Sequence, residues 1–218
     1  TPAAFSVSGQ DVIIQLAAGE SLTAISASIA AGGVVTINAT SSLTNTTTPT
    51  TSPFTGTGTS VITFTPTNGT SFTGISILGS TGTETVAISG AVDLLTSNAA
   101  TLSSFNVGSS VESLTVAGAV TSKADDITLD AAVVTLGANL TADTSGTITV
   151  TGPSTLSANV TATTTGTGAA ALISLGTVAG AGFNLSTNSG AGDVSLGAIT
   201  GLGALSITST GAIGLTGA

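Results

Sequence analysis

The chain has 218 residues and a formal net charge of −9, with one cationic side chain, Lys123, and no Arg, His, Cys, Met, Trp or Tyr. A single cation cannot neutralise a phosphate backbone, so nucleic-acid binding is excluded; zinc and copper centres, His-dependent nucleophiles and thiol chemistry lack their groups. Charged residues make up 5% and hydrophobic residues 41%, a composition that folds rather than stays disordered, and 44 Thr and 29 Ser supply most of the polar surface.

The N-terminal third is irregular. Val12-Ile13-Ile14, Val34-Val35-Thr36-Ile37 and Val61-Ile62-Thr63-Phe64 read as strands, at spacings that do not lock to any period. Between the first two, Glu20 to Ala31 places Leu22, Ile25 and Ile29 at i, i+3 and i+7, a pattern that fits a short capping helix or strands equally. Thr40 to Ser60 is a Thr/Ser/Pro-rich run, expected as a surface loop. O-glycosylation and an arm that adds a strand to a neighbouring subunit are its sharper readings.

Beyond this region the sequence repeats. Apolar-x-apolar triplets end at residues 88, 107, 129, 150, 175, 196 and 215, in steps of 19, 22, 21, 25, 21 and 19. A second series runs through Leu95, Val116, Leu136, Val160, Leu185 and Ile207. Alternation of period two places both apolar members of a triplet on one face, and the Gly, Asn and Ser clusters that follow end each strand. Strands this short bury a core only when stacked coil upon coil. The expected fold is all-β, a parallel β-solenoid (β-helix) of about 21 residues per coil, with a cap region at residues 1–60 and repeats at 61–218. Roughly nine to ten coils at about 4.8 Å each would form a rod on the order of 45 Å long. A β-sandwich or jelly roll is the rival, disfavoured because its strands are longer and only one Asn-Gly hairpin turn occurs.

Candidate sites are few. Asp125, Asp126 and Asp130 lie near Lys123 and are expected as a solvated turn between strands, with calcium binding by this oxygen-rich cluster as the alternative. Gly190 to Leu196 lacks the double Gly of a calcium-binding nonapeptide and reads as a turn. N-glycosylation sequons occur at Asn38, Asn45, Asn68, Asn139, Asn159 and Asn184, relevant only where the source organism N-glycosylates. Carboxylate catalysis on a β-helix ordinarily also uses basic or aromatic groups, which are absent, so no enzymatic activity and no cofactor are expected. Several Thr-x-Thr triplets, such as Thr147-Ile148-Thr149 and Thr163-Thr164-Thr165, raise an ice-binding alternative, but their spacings do not follow the coil.

The stretch SGAGDVSLGAITGLGALSITSTGAIGLTGA, and residues 75–218 more broadly, resembles the repeats of filamentous-haemagglutinin-like adhesins and related giant bacterial surface proteins. The resemblance implies an extracellular right-handed β-helix serving as a stalk, adhesin or filament component. The thiol-free, Ser/Thr-rich composition fits a secreted or cell-surface location. No apolar window reaches membrane-spanning length. The chain stops at Gly217-Ala218 just after a strand, so either the protein continues or that end assembles. The expected partner is another copy, joined through coil ends or an N-terminal strand, with surface glycans as a further partner class.

Overall fold

Short runs of β-branched and aliphatic residues separated by Gly, Asn and Ser can satisfy their backbone only by pairing with the equivalent run one coil away. The computed structural model describes residues 4–8, 11–29, 34–45, 54–55, 59–64, 73–94, 104–168 and 170–217. Among these there are strands and no helix. The fold is a parallel β-solenoid, and each coil has three faces.

The first face stacks Asp11–Gln15, Gly74–Leu78, Ser104–Val107, Ile127–Leu129, Ile148–Val150, Ile173–Leu175, Val194–Leu196 and Ile213–Leu215, each parallel to the next. The second stacks the first half of Ser21–Ile29 on the first half of Thr85–Asp93, then Ser113–Val116, Val133–Leu136, Ser154–Leu156, Val178–Ala179 and Ile199–Thr200. The third begins with the remaining halves of those two long strands. It continues through Val120–Lys123, Leu140–Asp143, Val160–Thr164, Leu185–Gly190 and Leu205–Ser209.

Inward residues pile into columns. Phe105, Ile127, Ile148, Ile173 and Val194 stand in register on the first face, and none is more than 1% exposed. Each such side chain contributes roughly 1.5–3 kcal/mol on burial. The coil is therefore held by a continuous apolar column and by parallel ladders on three sides. Where the first face turns into the second in the last coils, only two residues separate the strands. A Cβ on Gly176 would lie 2.7 Å from the Thr151 carbonyl oxygen, so this corner takes glycine.

The two sequence series resolve differently from expectation. Val86-Ala87-Ile88 belongs to the second face, and the first-face partner of Val107 is Ile77. Val116 and Leu136 lie on the second face, but Val160, Leu185 and Ile207 lie on the third; Leu95 falls outside the described residues. An apolar-x-apolar triplet looks alike on every face, so spacing alone could not separate three faces from two. Among the described residues seven turns and the opening strand of an eighth are present, against the nine to ten expected; Val35–Asn45 and Thr59–Phe64 pair antiparallel and add no turn.

Parallel stacking also begins well before residue 61, since Asp11–Gln15 and Ser21–Ile29 pair in parallel with strands near residues 74–93. Glu20 to Ala31 is extended over Ser21–Ile29, not helical. Its helix-like spacing has a cause. Ala24 has φ of 57°, and the register slips between Leu22 and Ile25, so both point inward across a bulge. The cap is made by reversal of direction. Val35–Asn45 pairs antiparallel with Ser21–Ile29, and Thr59–Phe64 antiparallel with Val35–Asn45, burying Ile37 and Ile62. Of the expected loop at 40–60, residues 40–45, 54–55 and 59–60 lie in strands and the others fall outside the described residues. Ala4–Ser8 pairs antiparallel with Asp11–Gln15 and touches Val35–Asn45 in parallel, so this N-terminal strand is taken up within its own chain.

Candidate functional site

With the apolar positions consumed by the column, whatever the rod presents outward is set by the alternate residues, and these are mostly hydroxyls. On the first face Thr128, Thr149, Ser174 and Ser195 are register partners, and on the second Thr115, Thr135 and Thr155. On the third, Thr121, Thr141, Thr163, Asn188 and Thr208 stand in one line, with Thr161, Ser186 and Ser206 in a line beside them. The Thr-x-Thr triplets are not the stacking unit, as their spacings indicated. Single threonines from different triplets and from none make the lines.

At the corners, Asn and Asp side chains hold one coil to the next. Asn139 Oδ1 accepts from the Thr161 N–H and Asn159 Oδ1 from the Asn184 N–H, both at 2.9 Å. Asp126 Oδ1 accepts from the Thr147 N–H at 2.8 Å, and Asp193 Oδ1 from the Ala212 N–H at 2.7 Å. Each bond satisfies a backbone donor that the turn leaves without a ladder partner. This gives a structural role to the side chains of two of the six sequon asparagines, Asn139 and Asn159, while Asn184 takes part through its backbone N–H. Asn139, Asn159 and Asn184 each occupy a corner, the following aliphatic residue points inward, and the third residue is an outward Thr or Ser. All three asparagines are exposed. Asn38 donates to Ser26 Oγ at 3.2 Å, Asn45 ends the strand Val35–Asn45, and Asn68 lies outside the described residues.

The acidic residues proposed from sequence are not brought together. Asp125 and Asp126 precede the strand Ile127–Leu129 and Asp130 follows it, so the strand separates them along its length. Asp125 Oδ1 is occupied by the Asp126 N–H at 2.9 Å. Among the described residues, no group of three acidic side chains is placed to hold a metal ion.

Sequence reasoning missed Glu84. It is fully buried at the corner between the first and second faces, where Oε1 accepts from the Gly19 N–H at 3.2 Å and the Ser80 hydroxyl at 2.9 Å. Oε2 has no partner. Glu20, Glu84 and Glu112 each immediately precede a strand of the second face on successive coils, an equivalence visible only once the faces are known. A shallow groove of about 360 Å³ follows the corner between the first and second faces, lined by Thr149, Thr151, Ser174, Ser195 and Thr216.

No protein-family model, curated protein or solved structure matches the chain. The class of protein it represents is therefore defined by its own geometry, a three-faced parallel β-solenoid with an antiparallel N-terminal cap and a hydroxyl-rich exterior.

Proposed function

We propose that the chain is an extracellular structural rod, part of a cell-surface stalk, filament or adhesin, whose role is mechanical and cohesive rather than catalytic. The observation that carries this reading is the edge-on stacking of equivalent coils. Val194, Leu196 and Leu185 are at most 1% exposed beneath the coil above them. Their counterparts Ile213, Leu215 and Leu205 are 50%, 61% and 41% exposed. That edge offers a further coil both ladder partners and an apolar column, whether the coil belongs to a longer chain or to another copy. The strands of that edge, Ile199–Thr200, Leu205–Ser209 and Ile213–Leu215, carry no charged residue, so the formal net charge of −9 is not concentrated where coils would meet. The resemblance to haemagglutinin-like repeats and the thiol-free composition support the surface location.

Sedimentation velocity across a wide concentration range, paired with electron microscopy, tests self-association. Growth into regular end-to-end particles supports it, and Ile213→Lys should suppress that growth. Single rods of unchanged length at the highest concentration would sink it.

A further inference from the structure

The third face has a property that a mere scaffold does not require. Its hydroxyls form a two-dimensional array. Thr161 and Thr163 lie two residues apart on one strand; in the next coil Ser186 pairs with Thr161 and the amide of Asn188 stands in the Thr163 line, and Ser206 and Thr208 continue both lines one coil further. The two repeats are about 4.8 Å between coils and about 6.6 Å along the strand. The first lies close to the shorter in-plane repeat of a prism face of hexagonal ice, and the second is about a tenth shorter than the longer one. No protein group bonds the hydroxyls of Thr161, Thr163, Ser186, Ser206 or Thr208 among the described residues, which leaves them to water.

We propose that this face binds ice. Rigid ladders beneath it hold the hydroxyls and threonine methyls at fixed positions, so water bound there is ordered before it meets the crystal, and little ordering entropy remains to be lost. From Val160–Thr164 to Leu205–Ser209 the outward positions of the strands carry no charge. The nearest carboxylate on the face, Asp143, accepts a hydrogen bond from the Thr165 hydroxyl at 2.5 Å. A glycan surface is the lesser fit, because the chain has no Trp or Tyr on which a sugar ring could stack. The second face serves as an internal comparison, since its threonines Thr115, Thr135 and Thr155 form one line without a second hydroxyl line completed beside it: the position next to Thr135 is Val133.

The test measures thermal hysteresis and inhibition of ice recrystallisation for the whole chain and for three variants. Thr163→Tyr places a bulky ring on the first row of the array, Thr208→Tyr does so at an exposed rung that cannot disturb the core, and Thr135→Tyr alters the second face. The expected result is activity in the unaltered chain and a loss of about tenfold in Thr163→Tyr and Thr208→Tyr. Thr135→Tyr should keep full activity, with circular dichroism unchanged throughout. An inactive parent chain, equal loss in Thr135→Tyr, or retention on crystalline cellulose but not on ice would overturn the proposal. It does not rest on self-association, so a monomeric chain that halts ice growth leaves it standing while removing the filament reading.

Discussion

Ile148→Ala against Ile213→Ala measures what the apolar column contributes, because the two residues occupy the same face and differ only in what lies above them. Ile148 is fully buried between its register partners Ile127 and Ile173. Those neighbours are fixed by ladders on both sides, so a cavity there cannot collapse, and the cost should sit in the upper part of the 2–5 kcal/mol range, about 4 kcal/mol. Ile213 has the partner Val194 below and is 50% exposed. Roughly half its burial is available to lose, and water fills the space left, giving about 1 kcal/mol. Urea unfolding followed by circular dichroism gives both values. Because stacked coils need not unfold in one step, hydrogen exchange at residues 148–150 and 213–215 should be followed in parallel. Equal costs for the two substitutions would refute the idea that stacking on both sides is what stabilises each coil.

Other consequences are equally accessible. Gly192→Ala should be among the most damaging single changes, at least about 3 kcal/mol, because its Cβ would fall 1.6 Å from the Ala171 carbonyl oxygen, and a thermal melt reads the loss. Glu84→Ala strands the Gly19 N–H and the Ser80 hydroxyl, and should cost about 1–3 kcal/mol while accelerating exchange at Gly19. Asn159→Ala should cost about 1 kcal/mol through the lost bond to the Asn184 N–H, with Asn159→Asp restoring most of it because an oxygen acceptor remains. Treatment with a calcium chelator should leave the melting temperature unchanged, since Asp125 and Asp126 lie at the opposite end of the strand Ile127–Leu129 from Asp130; a fall of several degrees would contradict that placement.

The architecture was legible because its unit is local. Triplets such as Ile148-Thr149-Val150 carry the period-two pattern within three residues, and the recurrence near 21 residues states that they stack. Face assignment was not legible, since Val86-Ala87-Ile88 and Ile127-Thr128-Leu129 look alike yet lie on different faces. The bulge at Ala24 imitated a helical repeat, because one residue inserted into a strand turns a spacing of two into three. The outward hydroxyl lines were hidden for a related reason. Threonine is so abundant that its register emerges only through partner positions: Thr141, Thr163 and Thr208 sit at unequal sequence intervals because corners vary in length while the coil stays in step. Glu84 gave no signal at all, for burial of an isolated acid depends on the loops that close over it.

Cryo-electron microscopy of the purified chain tests the central account most directly. It should show rods of three-sided cross-section with a coil rise of about 4.8 Å, joined end to end as concentration increases. Two flat sheets packed face to face, or rods that never meet at their ends, would contradict it.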